Sequence, residues 1–270
     1  MKHVLPLLML LLSAQSYSQD STQLSGLPTI YAVHIDDIVP SFAQRFEQLN
    51  TAQARARNGI LEQYSLPLNP AYEFSASTGT YISLRAKTLY GDLDKPPQYP
   101  DEVKKLFAEN VSPYSDTIHT LLRAHHNEIW KLDEPGSYIP KSFNPDPSVT
   151  RFVHLRTEWV KPPMSATYDS IVTLFRLALD KQKYPLACIV LYSQYGNGAN
   201  HYLWHARNQA EFVKAPAAEQ VLMSAYGMEE GQRQYQQWQK CLLRSEDYDA
   251  EARPDLTDLR KDQPWFGIKK

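Results

Sequence analysis

The sequence predicts an α+β fold: two βαββαβ repeats that close on each other as an intramolecular pseudo-dimeric α/β barrel. Three observations predict it. Val-His stands in two strand-like runs, at Val33-His34 and Val153-His154, and each run reaches a proline soon after, Pro40 and Pro162. An aromatic residue follows each proline six positions later, Phe46 and Tyr168, so the matches recur at an offset of 120 to 122 residues. The composition suits a packed chain, since 43% of the 270 residues are hydrophobic and 21% are charged, too apolar for general disorder. With 28 Lys+Arg against 30 Asp+Glu, there is no global field to hold nucleic acid or an anionic membrane.

Residues 1–18 read as a cleaved secretory signal. Met1-Lys2-His3 is a short positive head, Val4 to Leu12 is almost wholly apolar, and Ser16 and Ser18 are small residues before a cut. The apolar stretch is too short to span a bilayer, and no run of about 18 apolar residues follows it, so no membrane insertion is expected after cleavage. The mature chain is expected to be periplasmic or secreted.

The first repeat is placed at 28–138. Its opening strand is Ile30 to Ile38. Pro40 then starts a helix, where its missing donor is unpaired in any case. Phe42, Phe46, Leu49, Ala52 and Ala56 share one face of that helix, and Asn58-Gly59 is its expected stop. Leu61 to Leu68 and Gly79 to Lys87 read as the next two strands. Leu93 to Pro97 leads into a second helix that breaks at Ser112-Pro113, and Glu128 to Asp133 closes the repeat. Residues 139–150, with Pro140, Pro145 and Pro147, suit a linker and not a helix or central strand.

The second repeat is placed at 151–256. Its strands are Phe152 to Val160, Leu186 to Tyr195, His201 to Arg207 and Cys241 to Glu246, with Gly196-Asn197-Gly198 as a hairpin turn. Its first helix carries Tyr168, Ile171, Val172, Phe175 and Leu179 on one face. Its second breaks at Tyr226-Gly227. Both repeats thus show the split βαβ, or ferredoxin-like, order. The tail at 257–270 is charged, with Trp265 and Phe266 expected to pack on the barrel or meet a partner.

This pattern resembles the dimeric α/β-barrel superfamily, in particular NIPSNAP-like and antibiotic-biosynthesis-monooxygenase-like domains. The residues that carry the resemblance are the Val-His pairs, Pro40 and Pro162, Tyr81 and Tyr202, the Leu93–Pro97 and Phe212–Pro216 stretches, and Glu128 to Leu132 with Ser137-Tyr138. It covers roughly 28–140 and 150–256. The superfamily includes quinone-forming oxygenases, haem degraders, isomerases and members without known activity. No catalytic motif of any one of them is matched, so the resemblance assigns no catalytic residue. The chain departs from the usual pattern of that superfamily in holding both halves of the barrel and in being exported, so a monomer is expected.

Alternation along the strands selects the candidate site. In the first strand Val33 and Ile35 oppose Ala32, His34 and Asp36. In the matching strand Val153 and Leu155 oppose Phe152, His154 and Arg156. The aliphatic sets are expected to meet the helices and the mixed sets to face the barrel interior. His34 and His154, at equivalent positions, are candidate acid/base groups or ligand anchors, because imidazole titrates near neutral pH. Asp36, Tyr81, Arg85, Arg156, Tyr202 and Trp204 complete an expected cavity with aromatic walls and a few charges. The alternative is an interior Asp36–Arg156 ion pair among core aromatics.

His201 and His205 are four apart, but on a strand that separation is about 13 Å, too far for one metal ion. His125-His126 is expected to close a helix, favourably placed at its C-terminal dipole, with His119 on the same helix. Cys188 and Cys241 are placed on opposite sheet edges, about 14 Å apart and beyond disulfide reach, so both are expected as free thiols. No metal and no cofactor are expected, and haem has no ligand cluster to support it. Three functions stay open. The first is an exported protein that binds a small apolar or aromatic ligand between the two sheets. The second is a cofactor-independent oxygenase or isomerase-like enzyme that uses interior histidines. The third is a non-catalytic structural or interaction module.

Overall fold

The computed structural model describes residues 28–66, 71–76, 78–87, 89–93 and 98–256. The signal at 1–18, the tail at 257–270 with Trp265 and Phe266, and the lead-in at Lys95-Pro96-Pro97 lie outside the described residues.

Eight strands form one closed antiparallel barrel in the order β1-β3-β2-β8-β5-β7-β6-β4. They are β1 (Ile30–Ile38), β2 (Ala71–Ala76), β3 (Thr80–Lys87), β4 (Leu122–Leu132), β5 (Phe152–Val160), β6 (Ala187–Tyr195), β7 (Asn200–Ala206) and β8 (Leu242–Ala252). Each half of the chain supplies the same local order, with its first strand between its third and fourth and its second strand at the edge. The edges meet at β2–β8 and β4–β6, so neither half keeps an open edge on which another chain can pair.

The helices are α1 (Ala43–Gln63), α2 (Asp101–Asn110), α3 (Ser112–His119), α4 (Ser165–Lys181), α5 (Gln209–Lys214), α6 (Ala218–Tyr226) and α7 (Met228–Cys241). Pro40 and Pro162 each open a single 3-10 turn that runs into a long helix. The expected breaks hold: Asn110 ends α2 before Ser112 starts α3, and Gly227, at φ 90°, separates α6 from α7. No helix among the described residues is long and apolar enough to cross a membrane.

Three boundaries differ from the sequence reading. The helix α1 continues through Gly59 to Gln63, and the next strand starts only at Ala71. Burial of Ile60 and Leu61 outweighs the roughly 1 kcal/mol that a helical glycine costs. The strand β4 begins at Leu122, so His125 and His126 are strand residues and only His119 stays on the helix. The strand β8 begins at Leu242 and runs to Ala252, which moves Cys241 to the end of α7. Cys188 and Cys241 are both buried and free.

Residues of both halves share one apolar cluster that includes Val33, Leu84, Trp130, Val153, Leu155, Ile189 and Leu203. Only side chains pointing into the barrel can meet across it, so this cluster is the barrel interior. Separate clusters lie outside, one joining Phe46, Tyr81 and Ile118. Another joins Tyr168, Phe175, Tyr202, Trp204, Leu222 and Trp238. The segment 139–150 caps one end of the barrel. Ile139 is 1% exposed in the interior cluster, and Phe143 packs against that cluster and meets the His205 ring edge-on.

Candidate functional site

The predicted site residues point the other way from expectation. His34 is paired with Ser83 and Asn127, and Asp36 with Tyr81. Directly paired residues share a sheet face, and Tyr81 packs on Phe46 of α1. The set His34, Asp36, Tyr81 and Arg85 therefore faces the helices of the first half. By the same register His154, Arg156, Tyr202 and Trp204 face the helices of the second half. The aliphatic sets take the interior instead. An enclosed interior has few groups with which to satisfy a buried charge, whereas the helix side offers solvent at its margins and partners from other strands and helices. The eight residues are thus split between two outer faces and do not form one cavity.

The equivalence of His34 and His154 also fails. Each first strand ends in a bulge, at Asp37/Ile38 and at Trp159/Val160. Counted from that bulge, His34 matches Arg156, Asp36 matches Glu158 and His154 matches Ala32. Tyr81 and Tyr202 are likewise displaced by one strand step, because Asp36 pairs with Tyr81 while Arg156 pairs with Tyr202. Nor do Asp36 and Arg156 pair with each other. Asp36 binds His125, and Arg156 binds Glu158 and Asp247.

The four second-half residues do line one pocket of about 330 Å³ between the sheet and α4–α7. Its walls are Phe175, Tyr184, Tyr202, Trp204, Phe212 and Trp238, and its polar members include His154, Arg156, Glu158 and Asp247. Size and lining are those of a small-ligand site.

At the base of the pocket, Glu158 is wholly buried. Its Oε1 accepts from Arg156 Nε at 2.6 Å, and its Oε2 accepts from Tyr168 Oη at 2.8 Å and Trp238 Nε1 at 2.9 Å. Three donors, one of them cationic, hold this charge in place. Tyr168 and Tyr202 also hydrogen-bond to each other, and burial, together with the Glu158 charge, pushes both phenols well above their ordinary range. They remain neutral donors at any physiological pH.

At the rim His154 lies between two carboxylates. Its Nδ1 is 2.8 Å from Asp249 and its Nε2 3.3 Å from Asp247, while the ring stacks on Phe212 at 4.4 Å. Asp247 also receives both contacts of Arg156 Nη1, at 3.1 and 3.2 Å. A carboxylate that orients an imidazole, with a guanidinium beside it, can move a proton and stabilise the anion left behind. In the first half, His34 is stacked on His125. Its pKa is lowered by burial, and further by nearby Arg85.

Glu158, Tyr168, Trp238, Asp247 and Asp249 escaped the sequence reading. Glu158 continues the alternation Phe152, His154, Arg156 and was legible by that rule. Asp247 and Asp249 lay beyond the strand end assigned at Glu246. Tyr168 and Trp238 come from helices, whose angular placement over the sheet no strand pattern specifies.

Haem, which part of the resembled superfamily handles, requires a standing axial donor. The one imidazole of this pocket is engaged by carboxylates at both nitrogens. No group of three metal-capable side chains occurs among the described residues. In this pocket neither nitrogen of His154 stands free as an axial donor.

No family model and no curated protein matches the sequence. Solved structures match in fold. A candidate monooxygenase from Lactobacillus acidophilus shares 6% identity at a TM-score of 0.50, over 86% of this chain and 95% of its own. Another candidate monooxygenase, from Fusobacterium nucleatum, shares 7% at 0.51, over 84% and 93%. A chlorite dismutase variant from Candidatus Nitrospira defluvii shares 7% at 0.51, over 86% and 94%. At such identities the likeness is one of fold, the closed eight-stranded α+β barrel.

Proposed function

We propose that this chain is a cofactor-independent oxygenase that takes a small, electron-rich ring compound into the pocket between β5–β8 and α4–α7. The observation that carries this reading is the Asp249–His154–Asp247–Arg156 array at the mouth of an aromatic-walled pocket. His154 Nε2, released from its long contact with Asp247, removes a proton from an acidic ring CH2. The resulting carbanion, held beside Arg156, gives its electron pair to dioxygen and forms a C–O bond. The imidazolium returns its proton to the peroxide. Loss of the second C–H proton then breaks the O–O bond, so that CH2 plus O2 becomes C=O plus water. The aromatic walls exclude water from the carbanion. Two of the solved structures that share the fold are named as candidate monooxygenases, which supports the enzyme reading over a passive binder.

We further place the protein outside the cytoplasm, on the signal-like segment at 1–18. We take it to be a monomer whose halves descend from one duplicated unit, since both halves carry the same element order. N-terminal sequencing of the mature protein and light scattering test these two points.

The activity is tested with anthrone as probe, following oxygen uptake in air. His154→Ala is expected to slow turnover by roughly 10² to 10⁴, while His34→Ala leaves it unchanged. Equal rates for wild type and His154→Ala would overturn the assignment.

A further inference from the structure

A second cavity, of about 410 Å³, opens at the end of the barrel opposite the 139–150 cap. The strand ends fix its position. Ile35 and Asp37 of β1, Ala76 of β2, Thr157 and Trp159 of β5 line it together with Thr80 of β3, His126 of β4, His201 of β7 and Glu246 of β8. In an alternating antiparallel barrel these C-terminal and N-terminal ends come to the same mouth. The floor is Trp130, Leu155, Ile35 and Ile82, with the His201 ring stacked on Trp130 at 3.8 Å.

His201 is 2% exposed. Its Nδ1 is 3.1 Å from Thr157 Oγ1, but its Nε2 is buried without a hydrogen-bond partner. Buried polar groups are nearly always paired, so an orphan nitrogen in a cavity wall marks the place of a missing partner. Glu128 Oε2 lies 4.0 Å from that nitrogen, too far for a hydrogen bond, and already accepts from Trp130 Nε1 and Ser193 Oγ. A carboxylate so close repels an anionic ligand. At the mouth Asp37 and Glu246 are matched by Arg123 and Arg244, so the mouth adds no net charge and the repulsion comes from Glu128. Burial keeps the imidazole neutral, with its pKa near 3. In the Nδ1–H tautomer, whose proton Thr157 Oγ1 accepts, Nε2 presents a lone pair to the cavity.

We infer that the open end of the barrel is a second binding site, separate from the outer pocket, for a neutral aromatic molecule that donates one O–H or N–H to His201 Nε2. The ring lies among Trp130, Leu155, Ile35 and Ile82, and its far end reaches the polar mouth. This is the place between the sheets where the sequence reading expected a ligand, built from residues it did not choose.

The test uses the full chain with 15N-labelled histidine, and p-cresol as the probe, with toluene and 4-methylbenzoate as its donor-free and anionic counterparts. p-Cresol is expected to shift the His201 nitrogen signals to saturation. Toluene should bind roughly tenfold more weakly for want of one hydrogen bond, and 4-methylbenzoate should leave His201 unmoved. Thr80→Trp, at the exposed mouth, should abolish the shift, and His201→Phe should remove the preference for p-cresol over toluene. Saturable shifts at His154 alone would assign p-cresol to the outer pocket and overturn the inference. So would no saturable shift at His201, which leaves only water there, or equal affinity for toluene and p-cresol. None of these outcomes depends on whether the outer pocket is catalytic.

Discussion

The two outer faces of the barrel use matching positions in different ways. In the first half Asp36 stands half-exposed and pairs with His125, and the matching helix position, Phe46, packs on Tyr81. In the second half Glu158 stands where Asp36 does and Tyr168 where Phe46 does. One added methylene and one added hydroxyl carry the carboxylate inward, where it joins the sheet to α4 and α7 through Tyr168 and Trp238. The lesson is that a shared backbone positions side chains but does not decide whether a charge becomes a surface pair or the base of a pocket. Reach and hydroxyl count decide that.

The sharpest way to break this comparison is to delete both carboxylates. Glu158→Ala leaves the half-buried Arg156 with Asp247 alone and takes the shared acceptor from Tyr168 and Trp238, and breaking a buried pair from one side costs about 3–5 kcal/mol. Asp36→Ala removes half of a solvent-screened pair worth at most about 1 kcal/mol. Urea unfolding of the two variants measures the gap. Losses of similar size would show that the two faces are energetically alike, contrary to the structure.

The interior offers a second contrast. The inward residues of β3 are Ile82 and Leu84, with Ala86 packed beside them, whereas β7 places His201, Leu203 and His205 inward. Burial lowers both histidines to a pKa of about 3, against roughly 6.5 in the unfolded chain. A neutral buried histidine leaves stability intact above about pH 6.5. As pH falls below that, the unfolded chain binds protons the folded chain cannot, and stability is lost down toward pH 3. Each histidine contributes a slope of up to roughly 1.4 kcal/mol per pH unit. Thermal unfolding between pH 7 and 5 should therefore show acid lability that His201→Ile, which copies the first half, reduces by about one proton. An unchanged slope in that variant would mean that His201 is not held neutral by burial.

Much of the fold was legible in the sequence, because the proline starts, the helix breaks and strand alternation are local signals. The order of elements in both halves followed from them, and the strands from Phe152 to Arg207 came within a residue or two. Boundaries failed where a tertiary term overrode the local one, as at Gly59 inside α1 and at His125-His126 on β4. The site was legible as a set but not as a place. Alternation sorts His34, His154, Arg156 and Tyr202 onto one side of their strands, yet it carries no sign that says which side is inside. That sign depends on closure: once two sheets form a barrel, the aliphatic side must be the enclosed one. The two-residue slip between Val-His pairs had the same root, since a bulge or a strand step can preserve a sequence match while moving the residue it marks.

The mildest change probes the helix side of the comparison. Tyr168→Phe gives the second half the ring that the first half has at Phe46. Glu158 keeps Arg156 and Trp238 as donors, and Tyr202 loses one hydrogen bond to a neighbour of its own kind. The hydroxyl is bonded to a charged group, so its loss should cost about 1.5 kcal/mol or somewhat more, well short of the Glu158→Ala penalty. The pocket should keep its volume, because the hydroxyl stands in the buried knot with Glu158 and Tyr202 while the walls are Phe175, Tyr184, Trp204 and Phe212. Denaturation midpoints together with anthrone turnover separate the two roles. A stability loss with turnover retained places Tyr168 in the scaffold beneath the site. A turnover loss as large as that expected of His154→Ala would instead make the Tyr168–Glu158 contact part of the chemistry.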